Sequence, residues 1–275
     1  MHTKNISVYR IIMMVVLIAV SLLFIFPFYW IVTGAFKLQT VAIQMPPQWF
    51  PTDPTFANFK ELFINPAGQW FFNSVFMSVA SMLLVCLTSA MAGYVLAKKQ
   101  FTGRGIVFAV IIAAMALPKQ VVLVPLVRIM NSIGMYNTPW AVILPAVGWP
   151  FGVFLMKQFA QTIPGEILDA ARIDGSGEWM TFVRIVTPII KPAYGALAIF
   201  TFISTWNDYF LQLVMLQSRS RLTIALGVAT LQAEMATNYG VIMAGAALGA
   251  VPIVLIFLLF QKYFASGITM GAVKG

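Results

Sequence analysis

The chain has 275 residues, of which 60% are hydrophobic and only 9% are charged, and its formal net charge is +9 at pH 7. A mean hydropathy of +0.89 excludes an ordinary soluble protein, because a chain of this length cannot bury so much apolar surface in one water-facing core. Basic residues that flank apolar spans account for the positive charge better than nucleic-acid binding does. The single cysteine, Cys86, excludes a disulfide framework within the chain.

Six apolar stretches are long enough to cross a bilayer whose hydrocarbon core is about 30 Å thick. The sequence therefore predicts an all-α integral membrane protein that forms a single transmembrane domain. The predicted spans are residues 11–31, 72–97, 106–127, 140–159, 193–216 and 239–264. Pro118 and Lys119 interrupt the third span. Pro145, Gly148 and Pro150 lie in the fourth, where they predict either a hinge that lines a cavity or a plain kink.

The placement of the 17 Lys and Arg residues predicts the orientation of these spans. Loops on the cytoplasmic side of a membrane carry an excess of basic residues. With the N-terminus inside, most of the basic residues fall on the cytoplasmic side. Both termini are therefore predicted to be cytoplasmic.

Residues 161–191, called the charged segment below, interrupt the apolar pattern. Four of the eight acidic residues of the chain lie there, namely Glu166, Asp169, Asp174 and Glu178. The pattern predicts a helix that begins after Pro164, a turn at Asp174 and Gly175, and a second helix capped by Ser176. Such a segment is either a docking surface for another protein or an ordinary amphipathic loop at the membrane interface.

The charged segment carries a recognisable spacing. Asp169-Ala170-Ala171 is followed by three residues, Gly175, nine residues and Ile185-Val186-Thr187-Pro188. This resembles the signature Glu-Ala-Ala-x3-Gly-x9-Ile-x-Leu-Pro of the permease subunits of binding-protein-dependent ABC importers. Asp169 replaces Glu and Thr187 replaces Leu. Further features are similar to the carbohydrate, maltose-type branch of that family: Asn73-Ser74, the Pro118 to Pro125 segment, Trp206-Asn207 and the C-terminal residues 261–275.

The resemblance implies a type I importer permease with six transmembrane helices and a cytoplasmic coupling helix, located in the bacterial cytoplasmic membrane. Its expected partners are an ATP-binding subunit dimer that uses ATP and Mg, a second and different permease, an extracytoplasmic sugar-binding protein and membrane lipid. The tail Gly267 to Gly275 is expected to contact the ATPase, and the loop Gln217 to Asn238 to reach the binding protein. ATPase coupling is expected at Glu166, Asp169, Ala170, Ala171, Asp174 and Gly175.

Trp206, Asn207, Asp208 and Tyr209 are candidates for a sugar path, because aromatic faces and hydrogen-bonding side chains hold sugars. An acid at membrane depth is a functional candidate, although Asp208 could equally serve at the interface or in helix packing. The expected solute is a mono- or oligosaccharide. A polyol, a glycerol-phosphate or a uronate is an alternative within the same family.

The sequence contains no glycine-rich phosphate loop, no His/Cys cluster and no histidine other than His2. We therefore expect no catalytic site, no metal site and no cofactor bound by this chain, and ATP hydrolysis in a separate subunit. A secondary transporter is a weaker alternative, because the chain is poor in buried acids and shows no internal repeat. A membrane-embedded enzyme is weaker still, because no catalytic constellation is present.

Overall fold

The computed structural model describes residues 8–234 and 238–272, with side chains described through Gln261. All regular secondary structure in these residues is helical. The α-helices are Val8–Ala35, Gln39–Ala42, Ala57–Ile64, Ala67–Lys98, Arg104–Met115, Leu123–Ser132, Trp140–Val147, Pro150–Gln161, Gly165–Ile173, Glu178–Thr181, Thr187–Ile189, Lys191–Trp206, Tyr209–Met215, Ile224–Glu234 and Tyr239–Ala272. Short 3-10 turns at Lys119–Val122 and Arg219–Arg221, and a π-helical turn at Phe182–Val186, join some of them.

Three single helices in the described residues are long and apolar enough to cross a membrane: Val8–Ala35, Ala67–Lys98 and Tyr239–Gln261. Three further spans are possible if each of three bent helix pairs counts as one crossing. The pairs are Arg104–Met115 with Lys119–Ser132, bent by 101°, Trp140–Val147 with Pro150–Gln161, bent by 41°, and Glu178–Ile189 with Lys191–Trp206, bent by 79°. The all-α membrane fold is confirmed, and the arrangement is compatible with six spans. In the third pair, Lys191–Trp206 overlaps the predicted span 193–216, whereas Glu178–Ile189 belongs to the charged segment.

Proline accounts for the position of each bend, because it lacks the N–H that would continue a helix. Pro118 precedes the turn in the first pair, Pro150 begins the second leg of the next pair, and Pro192 lies in the first turn of Lys191–Trp206. A further break, not expected from the sequence, divides the predicted span 193–216 at Asn207 and Asp208.

The chain divides into two compact units, the first of which contains the residues up to Ala67 together with Gly227–Ala250. In this unit Asn58 is buried and its side-chain amide donates to the carbonyls of Ala35 (2.8 Å) and Lys37 (2.7 Å). The side chain of Asn238 donates to Glu61 Oε1 at 2.9 Å. These bonds hold the polar stretch after the first helix in an ordered form.

The second unit contains Gly68–Leu226 and the residues from Val251 onward. Its helices Ala67–Lys98 and Pro150–Gln161 approach closely where small residues meet. A Cβ atom at Gly93 would lie 2.6 Å from the backbone nitrogen of Lys157, and one at Gly152 would lie 2.4 Å from Ser89 Oγ. Small residues permit such contact between membrane helices. The buried core beside this crossing includes Tyr94, Met156, Ile163, Leu168, Phe182, Val186, Ile190 and Leu197.

Candidate functional site

The first helix of the charged segment, Gly165–Ile173, ends in a Schellman motif. Gly175 has a left-handed backbone (φ 77°), its N–H donates to the carbonyl of Arg172 at 3.0 Å, and the N–H of Ser176 donates to the carbonyl of Ala171 at 2.9 Å. Glycine adopts this conformation without steric cost, and the two bonds satisfy carbonyls that a helix end leaves free. The predicted turn at Asp174 and Gly175 is therefore confirmed.

The predicted cap of the second helix is wrong. Helix Glu178–Thr181 begins after Gly177, and no side chain caps it. The N–H of Ser176 belongs to the preceding Schellman motif, and its hydroxyl accepts from Thr181 Oγ1 at 3.1 Å. The small residues between the two helices thus close the first helix rather than open the second.

The six predicted coupling residues lie on two faces of Gly165–Ile173 and its turn. Ala171 is buried, and so is Leu168, which belongs to the core of the second unit. The other five, Glu166, Asp169, Ala170, Asp174 and Gly175, are exposed. Asp169 Oδ1 also pairs with Arg172 Nη1 at 3.0 Å on the exposed face. One side of the helix therefore packs against the rest of the protein. The other side exposes charged residues around the small side chain of Ala170.

The C-terminal end of helix Ala67–Lys98 and the following Lys99 anchor the charged segment at its start and near its middle. Lys98 donates to the carbonyls of Gln161 (3.1 Å) and Ile163, at the start of the segment. Lys99 pairs with Glu178, which also accepts from the Tyr94 hydroxyl at 3.4 Å. The hydrogen bond from Lys99 holds the pKa of the Glu178 carboxyl below its ordinary value of 4.5.

The charged segment also exposes large apolar side chains. Ile173 is 86% exposed and Trp179 is 61% exposed. Ile167, Met180 and Val183 are each at least 40% exposed. Exposed apolar groups interleaved with charges are typical of a surface that binds another protein. An amphipathic loop at the membrane interface, the second alternative drawn from the sequence, would expose such side chains as well.

A cavity of about 400 Å³ lies within the second unit. Its wall is mostly apolar and includes the bend between Trp140–Val147 and Pro150–Gln161, with Gly148, Trp149 and Pro150. The third predicted span contributes Lys119, and the break after Lys191–Trp206 contributes Asp208. The fourth predicted span therefore contains a break that lines a cavity. Of the two alternatives predicted from Pro145, Gly148 and Pro150, this agrees with the first, a hinge that lines a cavity, rather than a plain kink.

The polar part of this cavity is an ion pair beside an aromatic ring. Lys119 Nζ lies 3.5 Å from Asp208 Oδ2, donates to Ser204 Oγ at 3.2 Å, and stands 5.9 Å from the centroid of the Trp149 ring. Asp208 Oδ1 accepts from the backbone N–H of Leu211 at 3.3 Å and so caps helix Tyr209–Met215. The Asp208 carboxylate thus has two roles: it orients Lys119 and it caps helix Tyr209–Met215.

Of the four predicted sugar-path residues, only Asp208 lines this cavity. Trp206 is buried and stacks on Phe202 with ring centroids 5.5 Å apart. Asn207 and Tyr209 are exposed. The sequence reasoning did not select Lys119 or Trp149. A lysine inside an apolar span was the signal that could have identified the cavity.

The predicted binding-protein loop, Gln217 to Asn238, contains the turn Arg219–Arg221 and the helix Ile224–Glu234. Trp70, which is fully buried, donates its indole N–H to the Arg219 carbonyl at 2.6 Å. The Asn73 amide donates to the carbonyls of Ser220 (2.9 Å) and Leu222 (3.0 Å). Residues 235–237 of the loop lie outside the described residues, and the tail Gly267 to Gly275 lies outside those whose side chains are described.

Comparison with known proteins decides the family. The profile described as "Binding-protein-dependent transport system inner membrane component" matches residues 87–270, more than half of the chain and all of the charged segment. The chain belongs to this family of transport permeases. The resemblance drawn from the Asp169 to Pro188 spacing is confirmed, and the chain is a multi-pass membrane protein. Permeases of this family are not themselves catalytic.

The relatives of this permease include sugar transporters. It is 34% identical to the arabinooligosaccharides transport system permease protein AraQ of Bacillus subtilis (strain 168), over 100% of this chain and 99% of AraQ. It is 35% identical to the melibiose/raffinose/stachyose import permease protein MelC of the same organism, over 90% of this chain and 91% of MelC. Its fold matches a chain of a bacterial ABC transporter involved in the import of the acidic polysaccharide alginate, with a TM-score of 0.82, 19% identity and coverage of 96% and 99%. That identity supports the fold alone.

Proposed function

We propose that this permease is one of the membrane-spanning subunits of an ATP-driven importer that carries a sugar across the bacterial cytoplasmic membrane. The observation that carries the proposal is the charged segment, a compact helix-turn-helix that is fixed to helix Ala67–Lys98 and exposed on its far side. AraQ and MelC, which are named for oligosaccharides, support a sugar as the solute.

The charged segment is the proposed contact with a separate ATP-binding subunit. On its exposed face a small residue, Ala170, lies one turn after Glu166 and one turn before Asp174, and Asp169 and Gly175 are exposed as well. A small centre lets a groove of the partner approach closely, and the carboxylates favour basic groups around that groove. The buried side of the helix then transmits the force, because Leu168 packs in the core of the second unit and Ala171 is also buried.

ATP and Mg belong to the partner in this proposal, since the sequence has no phosphate-binding loop. Closure of the ATPase dimer would push the charged segment and drive the permease between inward- and outward-facing states. The charged segment and both termini are then cytoplasmic, as the distribution of basic residues predicts. The remaining expected partners are a second, different permease and an extracytoplasmic sugar-binding protein that meets the loop after Gln217.

The cavity at Lys119 and Asp208 is the proposed contribution of this chain to the sugar path. Trp149 offers an aromatic face, and Lys119 and Ser204 offer polar groups for sugar hydroxyls. Polar groups at membrane depth mark substrate pathways in transporters. Asp208 is retained as a candidate from the sequence, whereas Trp206 is proposed only to support the cavity wall through its stack on Phe202.

The coupling proposal is tested by retention of the ATPase subunit during affinity purification in mild detergent. Ala170→Leu places a larger side chain at the centre of the exposed face without entering the core, because Ala170 is exposed. We expect it to lower ATPase retention about tenfold, which corresponds to about 1.4 kcal/mol of binding free energy. Ala109→Leu is the matched control, since Ala109 is an exposed helical alanine outside the charged segment.

Equal ATPase retention by the two variants would contradict the coupling surface. Uptake of labelled sugar into proteoliposomes tests the transport function separately. We expect uptake to require the ATPase, ATP and the binding protein. Uptake driven by this chain alone, without ATP, would refute the importer proposal and favour a secondary transporter.

A further inference from the structure

The charge of the cavity is balanced within the chain. Among the described residues that line it, Lys119 is the single cation and Asp208 is the single anion, and they lie 3.5 Å apart. The Asp208 side chain is 19% exposed, so it meets the cavity while being largely withdrawn from solvent. A solute in the cavity therefore meets a wall whose net charge is zero.

The contacts of the pair leave hydrogen-bonding capacity without leaving a free charge. An ammonium group has three donors. Lys119 gives one to Ser204 and directs another towards Asp208, so one remains. The two Asp208 oxygens face Lys119 and the Leu211 N–H.

We infer that this cavity selects uncharged sugars and that the Lys119–Asp208 pair sets this preference. The inference rests on the proposed function and narrows it to the neutral members of the solute classes left open by the sequence. A neutral sugar can stack on Trp149 and hydrogen-bond to Lys119 while the ion pair stays intact.

An anionic sugar is disfavoured for an electrostatic reason. To bind Lys119 it must either displace Asp208 or accept a carboxylate as its close neighbour. Separating the pair leaves the Asp208 carboxylate, which is only 19% exposed, without its counter-charge, and like charges at short range repel. The 60% exposure of the Lys119 side chain moderates both effects, because water screens the charge. A uronate or a glycerol-phosphate therefore meets a penalty that a neutral sugar does not. The fold alone does not impose this choice, because it is shared with the importer of an acidic polysaccharide.

The test measures sugar binding to the complete membrane complex in nanodiscs, without the binding protein, so that no upstream selection intervenes. The probes are a neutral arabinotriose and a trigalacturonate, titrated by saturation-transfer difference NMR. Asp208→Asn removes the negative charge but keeps the helix cap, because an asparagine side-chain oxygen also accepts the Leu211 N–H. Asp53→Asn is the matched control, since Asp53 is exposed and does not line the cavity.

We expect the wild type to bind arabinotriose more tightly than trigalacturonate. Asp208→Asn should shift the ratio of the two dissociation constants at least about tenfold towards trigalacturonate, and Asp53→Asn should leave it unchanged. A wild-type preference for trigalacturonate, an unchanged ratio in Asp208→Asn, or no binding of either probe would overturn the inference. ATP-dependent uptake of arabinotriose by the complex with its binding protein is read separately. If uptake occurs and the ratio does not move, the selectivity inference alone fails.

Discussion

Replacement of Gly93 by alanine tests the helix crossing that supports the charged segment. An added Cβ would lie 2.6 Å from the Lys157 backbone nitrogen, 2.7 Å from Met156 Cβ and 2.8 Å from the Met156 carbonyl carbon. Two of these three atoms are backbone, so they cannot turn aside as the end of a flexible side chain would. Ordinary contact begins at 3.4 Å, and the helices must therefore separate by about 0.8 Å.

Overpacking of this kind costs about 1–3 kcal/mol, and the better helix propensity of alanine returns up to about 1 kcal/mol. We expect a net loss of about 1 kcal/mol, which lowers the Tm of a chain of this size by roughly 2–4 °C. Thermal unfolding of the detergent-solubilised complex, followed by intrinsic fluorescence, measures the shift. Gly105→Ala is the matched control, because a Cβ there meets no atom within 4 Å. Equal Tm values for the two variants would refute the close crossing.

Three further outcomes follow from single contacts. Gly175→Ala strains a left-handed residue (φ 77°) by about 1–2 kcal/mol and should lower the ATPase activity of the complex, whereas Gly175→Asn should retain most of it. Trp70→Phe leaves the Arg219 carbonyl without its buried donor and should lower stability by about 1–3 kcal/mol in thermal unfolding. Lys99→Met removes the partner that lowers the Glu178 pKa. The Tm of this variant should lie below that of the wild type by the full amount above pH 4.5. The difference should narrow as the pH falls through the pKa of Glu178 in the folded wild type, because a neutral Glu178 no longer pairs with Lys99.

Each of these outcomes has a control and a contradiction. Gly177→Ala controls for the loss of a glycine, because Gly177 has a negative φ and no neighbour for a Cβ. Equal activity of Gly175→Ala and Gly177→Ala would argue against a role for the left-handed turn. Trp140→Phe controls for the loss of an indole, since Trp140 is 43% exposed. A pH-independent gap between wild type and Lys99→Met would show that Glu178 does not titrate against Lys99.

The parts of the fold that depend on local composition were predictable from the sequence. Apolar length located the spans, and the charge of the segment around Asp169 together with the turn at Gly175 located its helix and stop. The break at Asn207 was missed, because the apolar residues on both sides of it kept the hydropathy of one continuous span. At this break the Asp208 carboxylate accepts the Leu211 N–H and caps the next helix. Hydropathy does not report such a local hydrogen bond.

The parts of the site that depend on distant contacts were not predictable in the same way. Lys119 and Asp208 lie at two separate helix breaks, and they meet only because the fold brings these breaks together. The sequence around one break does not indicate that the other lies beside it. The roles of Lys98 and Lys99 were hidden for a similar reason. A pair of lysines after an apolar helix is the ordinary sign of a membrane boundary, and only the packed chain reveals the carbonyl and carboxylate that they bind.

Helix Ala67–Lys98 has a consequence that reaches beyond its own packing. Its 32 residues extend about 48 Å at the usual rise of 1.5 Å per residue. Near its first turns, Trp70 and Asn73 hold the backbone of residues 219–222, and at its last turn Lys98 grips the beginning of the charged segment. One continuous helix therefore contacts two distant loops. A tilt of this helix at one end would displace the other end directly, without rearrangement of the residues between them.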